Sequence, residues 1–122
     1  MSTVTSMTLD VLTAFKEFVQ DNDVQVQTIQ VFLKIASSSG SPSMEELIKT
    51  TGIGLSAVSR NIKKLAVGQQ QSPGYGLVTV ELDPYDNRRR VLALSHRGHE
   101  LVARLDKAAQ PHLHYMIKKG VA

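Results

Sequence analysis

Residues 44–65, MEELIKTTGIGLSAVSRNIKKL, decide the fold. Ser43, just ahead of this run, and Glu46 have the capping-box spacing, in which each side chain satisfies a free backbone N–H at a helix start. A short helix therefore begins there and turns Met44, Leu47 and Ile48 inward. It stops at Gly52, a residue that enters the left-handed conformation of helix ends without steric cost. Only Gly52 to Gly54 separate it from a second helix, about Leu55 to Ala66, whose Leu55, Val58, Ile62 and Leu65 recur at intervals of three, four and three. That stripe is predicted to face the core and to leave Ser56, Ser59, Arg60 and Lys63 outside.

Downstream, Val67 to Gly76 holds three consecutive Gln followed by Ser, Pro and two Gly, and reads as an exposed loop. Leu77–Leu82 and Arg90–Leu94 are rich in β-formers, and the segment between them, Asp83 to Arg89, carries Asp, Pro, Asn and positive charge. Together they predict a β-hairpin with a basic tip. Ser95 can cap a further helix to about Ala109, with Leu101, Val102 and Leu105 as its apolar positions. Pro111 is expected to end or kink it, and a last short helix from Pro111 to about Lys119 would turn Leu113, Met116 and Ile117 inward and stop at Gly120.

Upstream, Leu9 to Val19 predicts a first helix with a wide apolar stripe of Leu9, Val11, Leu12, Phe15, Phe18 and Val19, interrupted by Asp21, Asn22 and Asp23. A second runs from about Val26 to Ala36 on Ile29, Phe32, Leu33 and Ala36. Ser37 to Pro42 is a loop by composition.

Two short helices across a tight glycine turn, then a hairpin, is the order of a winged helix-turn-helix. The expected class is mainly α with a small β-hairpin: one domain over residues 1–122, with reading head and wing at about 43–94 and dimerisation helices at about 1–25 and 95–122. The 122 residues and 42% hydrophobic content suit a single unstapled core. The absence of cysteine removes disulfides, thiolate zinc sites and cysteine nucleophiles. No apolar run approaches the roughly 20 residues of a membrane span, and Met1–Leu9 lacks an export pattern. A cytoplasmic protein without membrane contact is expected.

Net charge is only +3, but it is unevenly placed. Up to Leu55 three basic residues stand against six acidic ones; from Ser56 onward eleven stand against five, and seven of those eleven lie between Arg60 and Arg97. Such clustering points to nucleic acid. The second helix of the pair offers Ser56, Ala57, Ser59, Arg60, Asn61 and Lys63, small or hydrogen-bonding groups that suit a major groove. Arg60 can fork onto guanine, and Asn61 can pair with adenine if the helix turns it inward. Lys63, Lys64, Arg88, Arg89 and Arg90 are assigned to phosphates, the wing residues also to the minor groove.

The stretch 44–65, with its Val58-Ser59-Arg60 triplet, and the stretch 83–98, DPYDNRRRVLALSHRG, together resemble the MarR family of winged-helix regulators, or a small phage or plasmid relative of that fold. The likeness covers about Val26 to Val102 and rests on Asp83, Pro84, Asp86 and Arg88 in the wing and on Leu94, Ser95 and Gly98 after it. It implies that Arg88 sits at the wing tip and enters the minor groove, while Asp83 and Asp86 hold the tip's shape. It implies a homodimer on double-stranded DNA, acting as a sequence-specific transcriptional regulator, a repressor, at a near-palindromic operator. A small-molecule effector at the dimer interface is the further partner it implies. Between Leu65 and Gly76 the chain is several residues longer than that family's pattern, Val80 and Glu81 stand where the family tends to be basic, and the tail is short. The dimer contact therefore falls to the first helix and the residues after Ser95.

Other readings stay open. A winged-helix module can bind a protein through its hairpin or Gln-rich loop, and a replication or partition protein can use the same fold on DNA repeats. No Gly-rich phosphate loop, nucleophile motif or paired acidic site suggests an enzyme, and no cofactor is expected. His96, His99 and Glu100 have the spacing of metal ligands on one helix face, but solvated or interface histidines account for them better, so no metal is assigned. Phe15, Phe18 and Phe32 read as core before they read as an effector pocket.

Overall fold

The computed structural model describes residues 3–66 and 74–120. Its elements are α1 (Thr3–Val19), α2 (Val26–Ser37), α3 (Met44–Thr51), α4 (Leu55–Leu65), β1 (Val78–Leu82), β2 (Arg90–Leu94) and α5 (His96–Lys118). The chain forms two compact units. One comprises the chain up to Asp23 and from Glu100 onward, and the other is Val24–His99. The sequence's candidate loop falls largely on residues 67–73, outside the described residues.

In the Val24–His99 unit, α2 packs on α3, α4 and β2, and α3 packs on α4 and β2. Val31, Phe32, Ile35, Leu47, Val58 and Leu65 are among the side chains buried there. The inward face of α2 is Thr28, Val31, Phe32 and Ile35, not the expected Ile29, Phe32, Leu33 and Ala36. At about 100° per residue that is a rotation of one position. The observed face buries Val31 and Ile35 in place of Leu33 and Ala36, and takes in one polar residue, Thr28, whose hydroxyl is satisfied inside (below).

The α3 cap is half of the expected capping box. Ser43 Oγ accepts from the Glu46 N–H at 3.2 Å, and Gly52, at φ 72°, ends the helix in the left-handed region. The Glu46 carboxylate instead accepts from the Ser43 hydroxyl and from Arg89. β1 and β2 pair antiparallel from Val78–Leu94 to Leu82–Arg90. Ser43 bridges Val91, and the Leu92 N–H donates to the Pro42 carbonyl, so the chain entering α3 forms a short third rung of the hairpin.

At the strand-to-helix junction, Ser95 Oγ donates to the Gly76 carbonyl at 2.6 Å and accepts from the Gly98 N–H at 3.0 Å. Gly98 is required there for space: a Cβ on it would lie 2.1 Å from the Leu77 carbonyl oxygen.

The other unit departs further from expectation. α1 starts at Thr3 and not near Leu9, its polar first turns held partly by Thr8, whose hydroxyl donates back to the Val4 carbonyl. Pro111 neither ends nor splits the last helix, which runs unbroken from His96 to Lys118. The proline leaves a carbonyl one turn earlier without its N–H partner. In the turn that follows, His112 Nε2 pairs with Asp10 Oδ2 of α1 at 2.7 Å and fastens the helix past the proline. Phe15, Val19, Leu101 and Leu105 are buried, whereas Leu9, Leu12, Leu113 and Ile117, expected inside, are exposed. Among the described residues no helix is long and apolar enough to cross a membrane.

Gly98→Ala forces a methyl into the Leu77 carbonyl and is expected to cost roughly 1–3 kcal/mol, as overpacking does. Gly40→Ala, whose Cβ meets nothing within 4 Å, is the matched control. Thermal denaturation of both variants checks this, and equal melting temperatures would refute the close approach.

Candidate nucleic-acid interface

α4 presents an amphipathic surface whose inward face is Val58, Asn61, Ile62 and Leu65. The pattern Leu55, Val58, Ile62 and Leu65 would have centred that face roughly 30° away, at 100° per residue. The difference exchanges two residues. Asn61 is only 1% exposed and Leu55 is 63% exposed, the reverse of what periodicity suggests.

Asn61 is pulled inward by chemistry. Its Oδ1 accepts from the Thr28 hydroxyl of α2 at 2.6 Å in a buried contact, and its Nδ2 donates to the Ala57 carbonyl one turn back at 2.9 Å. Asn61 is thus removed from the set of base-reading candidates, because a buried amide with both ends used cannot reach an adenine. Thr28 was the available signal: a β-branched polar residue in an apolar slot needs a partner.

The remaining α4 candidates stay accessible. Ser56, Arg60, Lys63 and Lys64 are exposed, and Ala57 and Ser59 are half-buried. Ser56, Arg60 and Lys63 follow one another at four and three and so form one row. Gly54, the N-cap, contributes no side-chain hydrogen bond. A Cβ on Gly52 or Gly54 would meet nothing within 4 Å.

The wing tip is built on two aspartate turns. Asp83 Oδ1 accepts from the Tyr85 N–H and Asp86 Oδ1 from the Arg88 N–H, while the Asp83 N–H donates to the Arg89 carbonyl across the loop. The three arginines then separate by role. Arg88 is 91% exposed by side chain and pairs with the rim carboxylate of Asp86 at 3.2 Å. Arg89 reaches away from the tip to Ser43 Oγ at 2.9 Å and Glu46 Oε1 at 3.0 Å. It ties wing to α3 and is not presented as Arg88 is. Arg90 is exposed at the start of β2 and lines, with Arg88, Arg89, Ser43 and Glu45, an open hollow of about 250 Å³.

Sequence reasoning missed three features: the exposed Leu55, the fully projecting Tyr85 at the tip, and the Arg89 clasp. The clasp joins residues 43 positions apart and left no local signal. Arg97 belongs elsewhere, its Nε donating to the Tyr75 carbonyl. No group of His, Asp and Glu that could hold a metal ion occurs among the described residues. Phe15 and Phe32 are buried, as core residues.

Two helices joined by a tight glycine turn and followed by a charged two-stranded hairpin is the arrangement of a winged-helix domain, and solved structures share it. A MarR-like transcriptional regulator from Thermotoga maritima superposes with a TM-score of 0.65 at 24% identity, over 80% of this chain and 63% of that one. The fold is the MarR-type winged helix. MepR of S. aureus, solved with DNA, gives 0.71 at 14% identity over 93% of this chain and 76% of its own. BpsR of Bordetella bronchiseptica, whose DNA binding is regulated by 6-hydroxynicotinic acid, gives 0.57 at 20% over 92% and 74%. The chain thus spans less than two thirds of the Thermotoga protein and about three quarters of the other two. No family model and no curated protein sequence matches it.

Asn61→Ala strands the buried Thr28 hydroxyl and is expected to cost about 1–3 kcal/mol. Arg89→Ala removes a contact whose two side chains are 42% and 57% exposed, and should cost under about 1 kcal/mol. It should nonetheless speed amide exchange at Asp83 and Arg89. Urea denaturation and hydrogen exchange measure the two effects; unaltered exchange at the tip would refute the clasp.

Proposed function

We propose that this protein is a DNA-binding transcriptional regulator of the cytoplasm, not an enzyme, that acts as a repressor by occupying a near-palindromic operator as a homodimer. The observation that carries this reading is the exposed row Ser56, Arg60 and Lys63 on α4 within the same compact unit as the projecting Arg88 of the wing. Small hydroxyls and an arginine suit base edges in the major groove. An arginine at a projecting tip suits the minor groove, whose narrow stretches concentrate negative potential. Lys63, Lys64 and Arg90 supply phosphate contacts, which position the protein without reading sequence.

Support for a dimer comes from the other unit. Val4, Leu9 and Leu12 of α1 and Leu113, Tyr115 and Ile117 of α5 leave much apolar surface in water, and a second copy of the chain would cover it. Two copies imply half-sites about one helical turn apart, roughly 34–36 Å.

Selection from a random duplex library, followed by anisotropy titration at several salt concentrations, tests the reading. A palindromic winner bound at least about a thousandfold more tightly than a scrambled duplex is expected, with affinity falling steeply as salt rises. Weak, equal and salt-insensitive binding would leave a protein-binding module as the better account. Arg60→Ala should lose roughly 1–3 kcal/mol on the selected site alone, whereas Arg88→Ala should weaken selected and scrambled duplexes alike. Sedimentation equilibrium decides the dimer.

A further inference from the structure

Leu55 is the first residue of α4, and its side chain lies largely in water. The helix buries Val58, Ile62 and Leu65 and takes Asn61 inward to meet Thr28, which leaves Leu55 on the exposed side beside Ser56 and one turn before Ser59. A large apolar side chain stands there among serines, with Arg60 and Lys63 further along the same helix. Its neighbour Gly54 has no side chain to cover it, and Leu55 stays 63% exposed. A partner surface can therefore approach Leu55 directly.

The N-terminal residues of a reading helix are the ones that contact base edges. A DNA major groove displays hydrogen-bonding atoms almost throughout, and its apolar feature is the C5-methyl group of thymine. We propose that Leu55 packs on a thymine methyl and makes the protein selective for thymine at that position of each half-site. The inference rests on the DNA-binding reading above and adds to it one residue and one base. Leu55 and Arg60 are separated by about 7.5 Å along the helix axis, so the thymine belongs within a few base pairs of the guanine that Arg60 reads.

Replacing thymine by deoxyuridine removes the methyl and keeps the O4 acceptor and the pairing, which gives a test at single-group resolution. Each thymine of the selected operator is replaced in turn, and the duplexes are titrated with the wild-type protein, Leu55→Ala and Leu55→Met. At one position per half-site, deoxyuridine should weaken wild-type binding about fourfold, the worth of one buried methyl group. Leu55→Ala should lose affinity for the thymine duplex and show no further loss at that position with deoxyuridine. Leu55→Met, still apolar, should keep the sensitivity. Circular dichroism and sedimentation confirm that the variants are folded and assembled like the parent.

The proposal is overturned if no thymine position responds in the wild-type protein, or if Leu55→Ala responds as the wild type does, because another group would then read the methyl. In those cases the wild type still prefers its operator and Arg60→Ala and Arg88→Ala still weaken it, so the DNA-binding reading survives. A wild type that prefers no duplex refutes both.

Discussion

What α4 can offer to a partner depends on its rotation about its own axis, and the buried hydrogen bond between Thr28 and Asn61 helps to fix that rotation. Apolar burial of Val58, Ile62 and Leu65 is non-directional and leaves the orientation to shape fit alone. A directional bond at 2.6 Å does not. Both partners lie inside, where an unmade bond leaves a desolvated polar atom, so the pair penalises alternative orientations more than it favours the native one. The row Ser56, Arg60, Lys63 and the exposed Leu55 follow from that setting.

The wing is positioned by a different balance. Its tip is held from within by two aspartate side chains accepting from nearby N–H groups, and from outside by Arg89 on the N-terminus of α3. Partly exposed contacts of this kind contribute little to global stability. Their effect is to reduce the number of orientations the hairpin samples, and Arg88 benefits because its own side chain is left projecting. Adjacent arginines in the sequence thus have separate tasks, one structural and one facing outward.

Much of this was legible in the residues. The helix pair, its cap at Ser43, its stop at Gly52 and the two strands lie where local spacing and turn chemistry put them, because those signals act over a few residues. Errors came where a distant partner decided. The faces of α2 and α4 were misjudged because Thr28 and Asn61, 33 positions apart, satisfy each other. The continuity of α5 through Pro111 was missed because the Asp10–His112 pair that follows it joins opposite ends of the chain. In the site, Ser56, Arg60, Lys63 and Arg88 stand exposed as expected, while Asn61 and Arg89 are engaged by protein partners that no local pattern announces.

The junction between α4 and β1 has a consequence of its own. The N–H groups of Tyr75, Gly76 and Leu77 donate to the carbonyls of Lys64, Ala66 and Leu65, and Ala66 bridges Val78, so the chain leaving the helix and the chain entering the hairpin are fastened to each other directly. The start of β1 is thereby held against the last turn of α4 by backbone hydrogen bonds. A force on the start of β1 is therefore passed through main-chain bonds to the end of α4, so that helix and hairpin respond to a partner as one lever.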